Sequence, residues 1–288
     1  MKLPSFDYAC PTTIAEAVAL LAAHGGEAKP IAGGQSLVPM LAFRLAAPTL
    51  LVDLRKLAEL RQIKITDAGV TLGAMTRWRD ILEEPRLREA HPLLTAAVDH
   101  VAHYQIRNRG TVGGSLAHAD PAAELPGIAV TCDAEIVARG GAGSRVIAAA
   151  EFFRGALMTV LGSDEIITEI RFPAWPKERR FGFREFARRR GDFALVAAAV
   201  TFDLAEQKFR NVRVGAVGVG DRPMRIVAAE QALEGSEMSD AVISGCAAAA
   251  AAAVDPADDI HASGAYRKAL IGVMVERALR DAIARPIV

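Results

Sequence analysis

Ile31-Ala32-Gly33-Gly34-Gln35-Ser36-Leu37 is answered far downstream by Arg109-Gly110-Thr111-Val112-Gly113-Gly114-Ser115-Leu116. The reading of these two stretches decides the fold. Each is read as a loop joining a strand-like run to a helix-like run. Glycine tolerates positive φ and lets another molecule approach the backbone closely. Successive N–H groups in such a loop form a concave anion nest, and a following helix start adds partial positive charge. Ser36, Thr111 and Ser115 add hydroxyl donors at the same places. A hydrogen bond to a charged group contributes about 1.5–3 kcal/mol, so about four or five on a pyrophosphate anchor it without a lysine. One Gly-Gly alone reads as a tight turn. Two, each with hydroxyls and each preceding a helix, indicate a ligand with two phosphates. Neither stretch contains G-x-G-x-x-G or the P-loop pattern, so a Rossmann or P-loop site is not indicated.

Around the first stretch the pattern is strand, helix, strand. Phe6 to Ala9 is strand-like, and Thr13 followed by Glu16 is a capping box that opens a helix. Ile14, Val18 and Leu21 recur at helical spacing, and Gly25-Gly26 stop the helix. Lys29 to Ala32 leads into the glycines, Ser36 to Leu45 reads as helix with Pro39 early in it, and Leu50 to Asp53 reads as strand. Around the second stretch, Ile63–Thr66 and Val70–Gly73 predict a hairpin turning at Asp67-Ala68-Gly69. Helices are predicted over 77–83, 93–103 and 122–131. A second hairpin is predicted from Ala134–Ala138 and Arg145–Ala148, and Ile166 to Phe172 closes the unit. Pro173-Ala174-Trp175-Pro176 reads as a linker. The last third predicts antiparallel strands over 181–187, 194–203 and 212–219, then helices over 224–233, 239–254 and 263–284. Strands followed by helices indicate an α+β domain.

The chain has 288 residues, 51% hydrophobic and 24% charged, which suits a globular protein of two or three small domains. Lys+Arg and Asp+Glu are both 34, so no charge excess points to nucleic acid or an anionic membrane. No segment reads as a spanning helix or a signal peptide, and a cytoplasmic location is expected. The 3 cysteines, Cys10, Cys132 and Cys246, are scattered without a Cys-x-x-Cys. That argues against a disulfide framework and against a local cysteine-only iron–sulfur or zinc site.

Two longer motifs carry a family resemblance. Ala32-Gly33-Gly34-Gln35-Ser36-Leu37-Val38-Pro39 and the run from Gln105 through Arg107-Asn108-Arg109 and Thr111 to Ser115-Leu116-Ala117-His118-Ala119-Asp120-Pro121 resemble paired FAD signatures. They are those of the medium subunit of molybdenum hydroxylases, the family of carbon monoxide dehydrogenase and xanthine dehydrogenase. Pro121 to Pro126, Gly191-Asp192-Phe193-Ala194, Tyr266-Arg267 and Glu276 to Leu279 also fit, so the resemblance spans nearly the whole chain. It implies an α+β protein with the FAD-binding fold of the vanillyl-alcohol-oxidase type. Two α/β subdomains, 1–57 and 58–176, would clamp FAD, and an α+β domain, 177–288, would complete the subunit.

The resemblance puts the pyrophosphate on Ala32, Gly33, Gly34, Gln35 and Ser36, followed by Leu37, and on Thr111, Gly113, Gly114 and Ser115. Ala102 matches a position near the cofactor, and Glu124 an acidic position at the flavin's sugar chain, with Asp120 a nearby candidate. Val160 and Leu161 match apolar lining, and Asp192-Phe193 a segment close to the flavin ring. Other readings stand beside these. Glu124 reads equally as a helix cap; Phe193 reads as core; His118 either bonds the flavin or satisfies a loop carbonyl. Asp99, His100 and His103 resemble metal ligands on one helical face, but no fourth ligand accompanies them and a surface helix is the better reading. Arg188-Arg189-Arg190 fits a flavin carbonyl, a partner protein or a solvated run, while Tyr266, Leu270 and Met274 read as helix packing.

The resemblance implies an FAD-binding, electron-transferring oxidoreductase subunit. A large subunit would carry the molybdenum cofactor, a small one the [2Fe–2S] clusters, and the whole would be a dimer of heterotrimers. This chain would need no catalytic side chain and no metal of its own. Gln35 stands where some relatives have His, which loosens any tie to carbon monoxide oxidation. A free-standing flavin oxidoreductase and a non-catalytic nucleotide-binding assembly protein are the rival readings.

Overall fold

The computed structural model describes residues 2–285. The N-terminal unit runs β1 (Asp7–Ala9), α1 (Ile14–Ala23), β2 (Ala28–Ile31), α2 (Leu37–Ala42) and β3 (Leu50–Asp53). The Thr13 hydroxyl accepts the Glu16 N–H, the Glu16 carboxylate accepts the Thr12 N–H, and α1 starts there. Its Ile14, Ala17, Val18 and Leu21 are buried against Leu50, Val52, Leu57 and Leu60. The three strands pair in the order β1-β3-β2, all parallel, as a strand–helix–strand crossover requires. The α2 helix stops at Ala42, short of the expected Leu45. Arg44 takes a left-handed φ of 61°, and the N–H groups of Arg44 and Leu45 bond back to the carbonyls of Leu41 and Met40. This is a Schellman closure, with arginine where glycine is usual.

The second unit is built on a five-stranded sheet. The chain runs β4 (Ile63–Thr66), β5 (Gly69–Gly73), α3 (Trp78–Glu83), α4 (Leu87–Ala90), α5 (Pro92–Val98), α6 (Tyr104–Arg107), α7 (Val112–His118) and α8 (Glu124–Thr131). It then continues through β6 (Glu135–Gly140), β7 (Gly143–Ala148), α9 (Ala149–Phe152), β8 (Phe153–Gly155), β9 (Met158–Thr159) and β10 (Ile166–Pro173). The order is β4-β5-β10-β6-β7, with every pair antiparallel. Its core packs Val70, Leu72, Ile136 and Ile170 of the sheet against Leu93, Leu94, Leu116 and Ile128 of the helices. The helix expected over 93–103 ends at Val98, where the bonds tighten to i→i−3, from His100 N–H to the Ala97 carbonyl and Val101 N–H to the Val98 carbonyl, before Ala102 turns left-handed at φ 43°. Asp99, His100 and His103 therefore do not share a helical face; His103 is the residue before α6, and its side chain makes no capping bond. The short α4, α9, β8 and β9 carry too few residues to show a period.

The third unit comprises β11 (Arg180–Phe186), β12 (Val196–Ala205), β13 (Lys208–Val217) and β14 (Met224–Arg225), then α10 (Val227–Leu233), α11 (Asp240–Ala252) and α12 (Gly264–Ala284). Met224 and Arg225, expected to open a helix, instead pair with Ala216 and Gly215 of β13, and the helix begins at Val227. Alternation along β12 divides its residues between two faces. Val196, Ala198, Val200 and Phe202 join the core under Ile271, Met274 and Val275 of α12. Ala199 joins the core of the second unit. Of the α12 residues expected to pack, Leu270 and Met274 are buried but Tyr266 is half exposed. The α8 helix lies on β13 so closely that a Cβ on Gly127 would sit 2.5 Å from Val217 Cγ1. Among the described residues no helix is long and apolar enough to cross a membrane.

Candidate functional site

The parallel strands of the first unit deliver the first glycine stretch. Asp53 ends β3 opposite Ile31 and is buried, accepting from the Tyr8 hydroxyl at 2.8 Å and the Arg55 N–H at 2.9 Å. This fixes the strand ends from which residues 32–36 depart. Gly34 turns with φ 71°, a left-handed value that costs a residue with a Cβ roughly 1–2 kcal/mol. Across this turn the N–H groups of Gly33, Gly34, Gln35, Ser36 and Leu37 have no acceptor among the described residues. The Ser36 side chain does not cap α2, and the Gln35 amide donates to the Gly33 carbonyl at 3.0 Å. Consecutive N–H groups left without an acceptor in a partly buried turn form an anion cradle.

The second stretch folds differently from its expectation. It follows a helical turn, α6, rather than a strand, and Gly113 and Gly114 lie inside α7 rather than in a loop. Thr111 is the N-cap, accepting the Gly114 N–H at 3.2 Å. The Val112 N–H donates to the Thr76 carbonyl at 2.9 Å, that of Gly113 to the Ala74 carbonyl at 2.8 Å, and that of Ser115 to the Thr111 carbonyl at 3.0 Å. The expectation of two open sets of N–H groups is therefore corrected. The second stretch offers the hydroxyls of Thr111 and Ser115 and the Thr111 N–H.

The two stretches meet. A Cβ on Gly33 would run into the Arg109 carbonyl and lie 2.9 Å from Gly110 Cα, and one on Gly114 would lie 3.8 Å from Ala32 Cβ. Ala102 and the 191–193 segment also meet. A Cβ on Gly191 would strike the His103 ring and come within 2.8 Å of the Ala102 carbonyl, while Arg107 donates to the carbonyls of Val101 and Ala102 at 3.1 and 3.2 Å. Phe193 is 58% exposed, so it is not core. The end of α7 meets the 157–161 segment through the Leu157 N–H on the Ala119 carbonyl at 3.0 Å, with Val160 and Leu161 half-buried nearby. The His118 ring makes no hydrogen bond to any described residue, and Arg188, Arg189 and Arg190 are exposed.

Asp120 turns the chain into α8 by accepting the Ala122 N–H at 2.9 Å, and Glu124 is the first residue of that helix. Glu124 is buried, and burial pushes its carboxyl up to about 7, with the Asp120 charge adding to the effect. A second buried carboxyl, Glu185 of β11, was missed in the sequence. Burial pushes it to about 8, reinforced by the charge of Glu124. Its Oε2 has no partner among the described residues, and its Oε1 lies 3.9 Å from His100 Nδ1. Alternation along β11 would have found it, because Glu185 shares a strand face with Phe181 and Phe183. Among the described residues no group of three metal-ligating side chains is assembled.

Comparison with known proteins bears on this arrangement. The family profile described as FAD binding domain in molybdopterin dehydrogenase matches residues 4–175. That described as CO dehydrogenase flavoprotein C-terminal domain matches residues 181–282. The alpha subunit of the 6-hydroxypseudooxynicotine dehydrogenase complex of Paenarthrobacter nicotinovorans is 41% identical over 99% of this chain and 97% of its own length. Among solved structures, carbon monoxide dehydrogenase from Hydrogenophaga pseudoflava superposes with a TM-score of 0.96 at 37% identity, covering 99% of both chains. Quinoline 2-oxidoreductase from Pseudomonas putida 86 gives 0.94 at 35% identity, again covering 99% of both.

Proposed function

The chain belongs to the FAD-binding medium subunits of the molybdenum hydroxylases, and from that premise we propose that it is the electron-transfer link of a three-subunit oxidoreductase. When bound, FAD supplies two-electron storage between one-electron donors, the [2Fe–2S] clusters of a small subunit, and a final acceptor. The protein's part is to bind, orient and shield. The observation that supports the reading is the run of N–H groups from Gly33 to Leu37 without an acceptor among the described residues, which suits a pyrophosphate.

Ala32, Gly33, Gly34, Gln35, Ser36 and Leu37 hold the phosphates, assisted by Thr111 and Ser115, while Gly113 and Gly114 keep α7 close enough for those hydroxyls to reach. Ala102, Asp192 and Phe193 border the ring end. His118, Asp120, Glu124, Val160 and Leu161 line the remainder of the path. The working division is 1–57 and 58–176 for the two cofactor-clamping parts and 177–288 for the third.

Relatives are named for 6-hydroxypseudooxynicotine, nicotine, caffeine and carbon monoxide. In the proposed assembly the substrate of this chain's complex, a small heterocycle or comparable molecule, meets a large molybdenum-cofactor subunit rather than this chain. The complex is a cytoplasmic dimer of heterotrimers.

The test is the visible spectrum of the purified chain, alone and co-expressed with its two partners. Flavin bands that survive desalting, FAD released on denaturation, and bleaching by substrate only in the three-part complex are the expected result. Bleaching of the isolated chain by a small substrate would replace this reading with a free-standing oxidoreductase. Absence of flavin in both preparations would remove the cofactor assignment altogether.

A further inference from the structure

At the junction of the second and third units lies a cavity of about 100 Å³, lined by His91, Trp175, Arg179, Thr201, Asn211 and Arg213 among others. It is separate from the glycine stretches and uses none of the residues assigned above. We propose that it is a binding site for a small oxyanion, an inorganic phosphate or sulfate or a short carboxylate.

An accounting of hydrogen bonds carries the argument. Arg179 spends Nε and one Nη on Asp203 at 3.1 and 3.0 Å, which leaves Nη1. Arg213 spends Nε on Asp133 and Nη1 on the Val212 carbonyl, both at 3.0 Å, which leaves Nη2. His91 is 1% exposed, and its Nδ1 accepts the Leu94 N–H at 3.2 Å. The proton of the neutral ring is therefore on Nε2, and Nε2 is buried with no partner among the described residues. The Thr201 hydroxyl, on a buried residue, makes no hydrogen bond to a described residue either. Every unspent polar group named here is a donor or, in the hydroxyl's case, free to donate.

The carboxylates near the cavity are already paired, and among the lining side chains the Asn211 Oδ1 is the acceptor that has no donor among the described residues. Asp133 is bridged by Arg213 and Arg225, and Asp203 by Arg179 and Asn211. A buried donor without an acceptor costs about 1–3 kcal/mol; His91 Nε2 is such a donor, and the partly exposed Arg179 and Arg213 guanidiniums and the Thr201 hydroxyl add donors beside it, a set that suits a ligand rich in lone pairs. Its volume holds about three waters at roughly 30 Å³ each, or one four-oxygen anion in their place. Guanidinium groups oriented by carboxylates are suited to oxyanions through paired donors. The walls come from the start of α5, from the segment after β10, and from β12 and β13. An occupant would therefore tie the second unit to the third.

The full-length, FAD-loaded chain is dialysed into an oxyanion-free buffer and titrated calorimetrically with phosphate, sulfate and formate, with sodium chloride as the ionic-strength control. One saturable site is expected, with a thermal midpoint that rises and levels off at the same concentrations. Arg213→Met should weaken binding about tenfold or more, and the near-isosteric Thr201→Val about threefold, with FAD content unchanged in both. Thr201→Val leaves every ion pair in place, so it decides the matter if Arg213→Met folds poorly. Comparing formate with phosphate and sulfate tells a carboxylate site from a tetrahedral one. A non-saturating rise in midpoint that matches sodium chloride, or affinity that Thr201→Val leaves untouched, would mean that the cavity holds water only and would overturn the assignment.

Discussion

From Gly33 to Leu37 the N–H groups have no acceptor among the described residues, whereas at Val112, Gly113, Gly114 and Ser115 each is already bonded to a carbonyl or hydroxyl of the protein. The glycines are required for different reasons. Gly34 is there for its left-handed turn, which holds the cradle open. Gly113 is there because a Cβ would come within 2.6 Å of Ala74 Cβ. In the first stretch the N–H groups are left without acceptors among the described residues, and in the second they are spent on the chain itself. Glycine content thus marks close approach without saying what approaches.

The sharpest way to break this comparison is at the point where the stretches touch. Gly33→Val places carbon against the Arg109 carbonyl. It should reduce bound FAD to about a tenth or less of one per chain and destabilise the apoprotein by about 3 kcal/mol, read from released flavin and urea unfolding. Normal flavin content with an unchanged midpoint would show that the stretches are not in contact. Gly113→Ala should cost about 1–3 kcal/mol whether or not FAD is present, because the clash is internal. A cost seen only in the holoprotein would move the second stretch into the cradle.

The comparison extends to the carboxyls beyond α7. Glu124 and Glu185 bind their protons more tightly folded than unfolded. Their contribution to stability is complete below the ordinary carboxylate value of 4.5 and is lost as pH rises through about 7 and 8. At about 1.4 kcal/mol per pH unit for each group, unfolding free energy should fall by several kcal/mol between pH 5 and 9, and Glu185→Gln should flatten much of that slope. A slope unchanged in the variant would place the titrating groups elsewhere.

The smallest effects separate the two roles most cleanly. Thr111→Ala removes a helix cap and should cost the apoprotein about 1 kcal/mol. Ser36→Ala caps nothing, so apoprotein stability should hold within about 0.5 kcal/mol while FAD affinity falls roughly fivefold. Interchanged outcomes would interchange the assignments.

Much of the architecture is legible before folding. The Thr13–Glu16 cap, the apolar spacing of Ile14, Val18 and Leu21, and the hairpins at 63–73 and 135–148 are local patterns, and local patterns survive into the structure. The α7 helix was not legible, because glycine pairs argue against helix and only Thr111 and the carbonyls of Ala74 and Thr76 hold that turn in place. Helix starts at Met224 and helix ends at His103 or Leu45 misled for a related reason. Strand pairing with β13 claims Met224, a left-handed Arg44 closes α2, and a tightened turn after Val98 ends α5.

By itself, the sequence determined the succession of units, the local caps and hairpins, and the two glycine motifs whose resemblance to a known family implies FAD, since each is written within a few turns of chain. Only the tertiary structure decided which N–H groups stay open, that Gly33 touches Arg109, and that the carboxyls of Glu124 and Glu185 are both buried. Hydrogen-bond acceptors and desolvation come from partners distant in sequence, and no local pattern records whether a group has found its partner.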